Sequence, residues 1–273
     1  MKVKAINVAI LALGLTMGLQ GAVAYADDCN TPAYQALLKI KNPDVLHRVN
    51  ELNLTQAQKD QFKVMKKSFD AESNKVGDAG KAINVLLNQV ATSPTIDETR
   101  LDSIVTDAKK NMVIGQVQTA TFRHNLYNLL NDQQKTKYHE LQQQERQFFR
   151  MGLQCPDVAK PSTTHPDPID QIKNLDLTAE QKAKIMPLIS SWKNQAEKIM
   201  IQSDDSTMSV EQMETQIVQS TSPIDSAQLN AFGMAQAEAA GELIKNKVMT
   251  YHDIYENLND QQKAQFMKII SKQ

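Results

Sequence analysis

The sequence predicts an all-α protein built from two tandem helical-hairpin repeats. Three observations carry that reading: a composition of helix formers, an ordered internal self-similarity, and four helix-start signatures. The chain has 273 residues, 41% hydrophobic but only 5% aromatic, with nine Gly and nine Pro. Gln, Ala, Lys and Leu are the most frequent residues, and all favour helix. A β-sandwich or barrel would need more turn residues and more aromatic or β-branched strands. With 30 Lys+Arg against 31 Asp+Glu the charge is nearly balanced, which argues against a dedicated nucleic-acid binder.

Residues 1–26 read as an export signal. Lys2 and Lys4 form a positive start, an apolar stretch runs from about Ala5 to Leu19, and Ala24-Tyr25-Ala26 is a small-x-small cleavage site. The stretch is short for a membrane anchor. No later segment holds 18 unbroken apolar residues, so no stable membrane insertion is expected of the mature chain. An exported chain meets an oxidising compartment, where Cys29 and Cys155 can pair. The chain-entropy estimate for so long a loop is about 5 kcal/mol. Unpaired or intermolecular thiols remain the alternative, and without a C-x-x-C spacing a catalytic redox pair is not expected.

The repeat follows. Leu54-Thr55-Gln56-Ala57-Gln58 recurs as Leu177-Thr178-Ala179-Glu180-Gln181, and Leu130-Asn131-Asp132-Gln133-Gln134 as Leu258-Asn259-Asp260-Gln261-Gln262. Ser93-Pro94-Thr95-Ile96-Asp97 matches Ser222-Pro223-Ile224-Asp225, and His124-x-x-Tyr127 matches His252-x-x-Tyr255. Ile96, His124 and Leu130 stand 128 positions before Ile224, His252 and Leu258. The second copy carries about five extra residues around Ser203–Glu211. The organisation expected is a first copy over 27–150 with an N-terminal extension, a Pro-rich linker over 151–169, and a second copy over 170–273.

Each motif has the form of a capping box. The cap residue (Thr55, Asn131, Thr178 or Asn259) is followed three positions later by Gln58, Gln134, Gln181 or Gln262. The cap side chain accepts from the third amide, and Gln reaches back to the cap amide. Leu54, Leu130, Leu177 and Leu258 precede the caps. One or two short helices over about Thr31–Asn50 come first, with Pro43 a candidate break. The helix from Thr55 carries Phe62, Met65 and Phe69 on one face, and Gly77 and Gly80 mark candidate breaks before Ile83–Val90. A helix of about 50 Å is expected from Asp97 to Leu129, and a further one from Asn131 to near Phe149. The second copy repeats the scheme.

The boxes, with Tyr127-Asn128-Leu129-Leu130 before the second one, resemble the Spy/CpxP family of periplasmic proteins, whose motif is written LTxxQ. Both second boxes read Leu-Asn-Asp-Gln-Gln rather than Leu-Thr-Pro-Glu-Gln, but Asn caps as well as Thr. The resemblance spans roughly 50–150 and 174–273. It implies small helical hairpins that pair into a curved cradle, acting as ATP-independent chaperones, as modulators of an envelope-stress sensor kinase, or as zinc-responsive variants. Two copies in one chain point to an intramolecular pseudo-dimeric cradle, with a homodimer as the alternative.

No catalytic signature is present, and His139-Glu140-Leu141 does not continue as a zinc-protease motif. No nucleotide, metal or other cofactor is called for. His124 and His252, at equivalent positions, would form a metal site only by meeting across a pseudo-twofold axis. A chaperone needs exposed apolar and flexible side chains within polar surroundings. Candidates for client contact are Met65, Phe69, Trp192, Met208 and Met213, with Lys59, Lys63, Lys66 and Lys67 for charge steering. Met and aromatic residues at helical spacing are more often core. From 51 to 150 there are 14 bases and 12 acids, against 9 and 13 from 174 to 273. The expected activity is binding of unfolded or misfolded clients to suppress their aggregation, in the periplasm; a sensor-kinase adaptor is the alternative.

Overall fold

The computed structural model describes residue 40 and residues 43–154, 168–202 and 210–271. The export signal, Cys29, Cys155 and Met208 lie outside these residues. No strand occurs among the described residues. Copy one consists of α1 (Gln56–Ala91), α2 (Glu98–Leu129) and α3 (Asp132–Gln154), preceded by 3-10 turns at Val45–His47 and Val49–Leu52. Copy two consists of the single turn α4 (Pro168–Gln171), a 3-10 turn at Ile172–Asn174, α5 (Ala179–Gln202), α6 (Val210–Gln219), α7 (Ser226–Glu256) and α8 (Asp260–Ile270).

Several elements differ from expectation. Helix α1 runs unbroken through Gly77 and Gly80, although each Gly costs about 1 kcal/mol against Ala. Tertiary packing decides the matter: Asn111 Nδ2 of α2 donates to the Val76 carbonyl at 3.1 Å, and Gly80 faces that same Asn111. In copy two the described residues corresponding to α1 are α5 and α6, which stand on either side of residues 203–209. Pro187 sits inside α5, removing one backbone hydrogen bond without ending the helix. Helix α3 continues to Gln154 and a helical turn begins at Pro168, so helix extends into both edges of the stretch read as linker.

Each copy is a hairpin whose third helix folds back beside its open end, here called its base. The α1–α2 hairpin is closed by Phe69 stacked on Phe122, with ring centroids 4.5 Å apart. Helices α2 and α7 lie along each other over much of their length and run antiparallel. Val113 lies against Gly233, Val105 against Gly241, and Lys245 Nζ meets Asp102 Oδ1 at 2.7 Å. As one residue number falls, its partner's rises.

This antiparallel pairing places the hairpin tip of each copy on the base of the other. Leu87, Val90, Leu101 and Ile104 of copy one share a core with Ile172, Leu177, Ile185, Ile254 and Phe266 of copy two. Val218 of copy two joins Val49, Leu52, Leu126, Tyr138 and Leu141 of copy one. A smaller cluster between them joins Ala120 to Ile217, Leu229 and Phe232. The sequence repeats are therefore not separate packing units, because each base is closed by the other copy's tip. The result is an intramolecular pseudo-dimer.

Candidate functional site

The four caps have full reciprocal geometry. Thr55 N donates to Gln58 Oε1 at 2.9 Å and Gln58 N to Thr55 Oγ1 at 3.3 Å. The corresponding distances are 3.0 and 2.9 Å for Asn131 with Gln134, 3.0 and 3.2 Å for Thr178 with Gln181, and 3.0 and 2.9 Å for Asn259 with Gln262.

The two boxes of each copy are also joined to each other. Gln58 Nε2 donates to Gln134 Oε1 at 2.8 Å, and Gln134 Nε2 donates back to Gln58 Oε1 at 3.0 Å. Their remaining amide hydrogens go to the Leu129 and Asn53 carbonyls. In copy two Gln181 and Gln262 pair at 2.7 and 3.0 Å and donate to the Asn257 and Asp176 carbonyls. Each amide thus accepts twice and donates twice, filling its hydrogen-bonding capacity. Glu would complete a capping box as well as Gln. It could not donate to its opposite number, and two carboxylates in contact would repel. The motif therefore demands Gln at both boxes, and its role is to lock the start of one helix to the start of another.

The steering lysines, Lys59, Lys63, Lys66 and Lys67, are all exposed on α1. Lys66 Nζ is engaged by Asp70 Oδ2 at 2.6 Å. Val64, between Lys63 and Lys66, is 73% exposed, and sequence reasoning missed it because it stands off the helix's apolar stripe. Met65 and Phe69 turn into the hairpin instead: Met65 packs on the copy-one base and Phe69 on Phe122. Trp192 is half-buried against the large shared core, with its indole N–H enclosed and unpartnered. Met213 packs on the small central cluster. These aromatic and Met candidates are thus part of the interior packing, as helical spacing alone favours. Among the described residues the exposed large apolar side chains are instead Val64, Val85, Leu86, Ile114, Met234 and Met267. Ile114 and Met234 each follow a residue of the Val113–Gly233 contact on the central helix pair.

His124 and His252 do not meet. The antiparallel course of α2 and α7 sends them to opposite ends of the molecule. His124 is buried and bonded through Nδ1 to the Ile217 carbonyl at 2.9 Å, whereas His252 Nδ1 is enclosed without a partner. Among the described residues no group of three or more His, Cys, Asp or Glu is placed to hold a metal ion.

A buried ionic network fastens α6 to the copy-one base. The Arg123 guanidinium reaches Glu145 Oε1 at 2.7 Å and Glu214 Oε1 at 2.6 Å, and Arg146 reaches Glu211 Oε1 at 2.8 Å. Burial opposes the charge on Arg123, but Glu145 and Glu214 outweigh it and hold the guanidinium firmly protonated. Burial pushes the Glu145 carboxyl above its ordinary value against the pull of Arg123. Asp44 is lowered: burial acts to raise it, and the His47 hydrogen bond together with Arg123 prevails. Arg123 Nε, Tyr138 OH and Gln142 Nε2 are enclosed there without partners. Further along, His139 bridges Tyr127 OH at 3.0 Å and Gln219 Nε2 at 3.3 Å. Burial, aided by Arg146, depresses its pKa below the usual imidazole value.

The charge split between the copies now has a structural counterpart. Arg123–Glu214, Arg146–Glu211 and Lys109–Glu238 each join a base of copy one to an acid of copy two.

Two comparisons, with curated proteins and with solved structures, return no match. A third finds the profile of the LTXXQ motif family over residues 43–142 and again over 167–269. These two matched regions cover most of the chain, each contains both of its copy's dovetailed capping boxes, and the protein belongs to the LTXXQ motif family.

Proposed function

We propose that the protein is an ATP-independent periplasmic chaperone that holds unfolded or misfolded clients and suppresses their aggregation. Family membership supports a general chaperone or stress-related role. No described helix is long and apolar enough to cross a membrane. The observation that carries the finer reading is the dispersed set of exposed apolar side chains. Val64, Val85, Leu86, Ile114, Met234 and Met267 are spread over α1, α2, α7 and α8 among exposed charges. Such a surface makes weak contacts at many points. Val64 with Lys63 and Lys67 combines apolar contact with positive charge on one exposed stretch of α1. Charge would speed encounter, and loose apolar contact would hold the client.

Light scattering of a chemically denatured test protein, diluted with and without this protein and without nucleotide, tests the reading. Suppression near stoichiometric amounts is expected, reduced by Lys63→Glu, Lys66→Glu and Lys67→Glu together and by Val64→Asp. No suppression would overturn it and favour the sensor-kinase adaptor.

A further inference from the structure

The contact between α2 and α7 is asymmetric in a way that selects its partner. The 128-residue correspondence makes Gly233 the counterpart of Val105 and Gly241 the counterpart of Val113. The two contacts, a tight one of Val113 on Gly233 and an ordinary one of Val105 on Gly241, therefore exchange under the pseudo-twofold axis. On both sides copy one supplies the Val and copy two the Gly. A Cβ placed on Gly233 would lie 3.1 Å from Val113 Cγ1 and 3.4 Å from the Val113 backbone. A Cβ on Gly241 would lie 2.6 Å from Cδ and 2.9 Å from Cγ of Lys109. A side chain at 233 meets Val113 and its backbone, and one at 241 must displace the Lys109 side chain.

We infer that this interface is heterotypic by construction: the pairing surface of copy one fits copy two, and neither fits itself. The face therefore joins copy one to copy two, as it does within this chain, and does not join two like copies. The inference rests on the fold and stands whether or not the chaperone reading does.

The alternatives fail for identifiable reasons. Two copy-one surfaces would set Val105 against Val113 on both sides of the axis, an overpacked contact. They would also set Lys109 opposite Lys110, since Lys110 is the counterpart of Glu238, and Glu238 is the acid that Lys109 now meets. Two copy-two surfaces would set Gly against Gly on both sides, leaving voids where the Val side chains now pack. They would also lose Asp102, whose counterpart is Asn230 and which now pairs with Lys245. Specificity of this kind combines a fitted contact with penalties against the wrong partner.

The test uses the full chain. Gly233→Val with Gly241→Val makes copy two resemble copy one, Val105→Gly with Val113→Gly does the reverse, and the quadruple variant exchanges the residues across the interface. Thermal unfolding is measured by helical circular dichroism. The Gly→Val pair should lower the Tm by about 5–10 °C, although Val is the better helix former. The quadruple variant, unchanged in composition, should recover the part of that loss that comes from Val113 against position 233, while Lys109 still crowds position 241. If a double variant does not fold while the quadruple does, the inference stands. A Gly→Val pair that leaves the Tm unchanged or higher would overturn it, as would a quadruple variant no more stable than the Gly→Val pair.

Discussion

At the end where α6 of copy two covers the base of copy one, Arg123 is buried between Glu145 and Glu214. At the opposite end its counterpart, Tyr251, packs edge-on against Phe266 with ring centroids 5.5 Å apart. Phe266 is in turn the counterpart of Tyr138, whose hydroxyl is enclosed without a partner. The same duplicated scaffold thus adds a buried ionic network to its apolar packing at one end and is closed by apolar packing at the other. The apolar end gains by removal of surface from water, a contribution that does not depend on exact geometry. The ionic end must compensate for desolvating several charges, and it holds only while every partner is in place. The orphaned Arg123 Nε, Tyr138 OH and Gln142 Nε2 make it the costlier closure.

Removing one member from each end should give losses of similar size and different character. Arg123→Met leaves Glu145 and Glu214 without their partner and should cost about 3–5 kcal/mol in urea unfolding. Replacing Arg123, Glu145 and Glu214 together by Met should be near neutral or stabilising. If the triple variant is as unstable as the single one, the ionic end is stronger than its geometry implies. Phe266→Ala, at a site with 0% exposure, should cost about 3–5 kcal/mol. That loss should be the same at low and high salt.

The dovetailed Gln pairs are common to both ends and should respond alike. Gln134→Glu keeps its capping box but faces Gln58 without a hydrogen to give. It also abandons the Asn53 carbonyl, and a cost of about 1–3 kcal/mol is expected. Gln262→Glu should match it in copy two. Both losses should shrink below pH 4, where the new carboxyl is protonated and can donate. A Glu variant as stable as wild type at pH 7 would show that capping alone accounts for the motif.

The smallest effect expected is a pH response confined to the ionic end. His139 is held below its ordinary pKa of 6.5, so the folded state binds this proton less tightly than the unfolded chain. Stability is then lost as pH falls from about 6.5 through the depressed value. His47 acts in the opposite sense: its hydrogen bond to Asp44 raises its pKa. That contribution is present below pH 6.5 and lost as pH rises through the raised value. His47 is the more exposed of the pair, and the His139 trend should prevail. Urea midpoints between pH 7 and 5 should therefore fall in the wild type and rise slightly in His139→Gln, where the His47 contribution is left unopposed. Fluorescence of Trp192, the sole Trp and packed on the apolar core, should not change over that range in the folded protein.

What could be read from the residues in order follows the range of the interactions involved. A capping box lies within four consecutive residues, so Thr55, Asn131, Thr178 and Asn259 announce helix starts without reference to anything distant. The duplication is likewise visible as text. Propensity read locally misjudged Gly77 and Gly80, because the bond from Asn111 that supports α1 arrives from 35 residues away. Spacing suggested that Met65 and Phe69 could be surface contacts, while Val64 between two lysines escaped notice. A helical stripe says which residues share a face but not which faces find partners.

The helices, their starts and the fact of two copies are legible in the order of the residues, because these depend on hydrogen bonds and periodicity within a turn or two. The antiparallel course of the copies, the closing of each base by the other's tip and the separation of His124 from His252 emerge in the packed chain. So do the pairing of Gln58 with Gln134 and the match of Val105 and Val113 to Gly241 and Gly233. Those outcomes depend on the register between segments many residues apart. That register is set by which side chains leave room for one another at the crossing, a condition on pairs of residues that no stretch of sequence expresses alone.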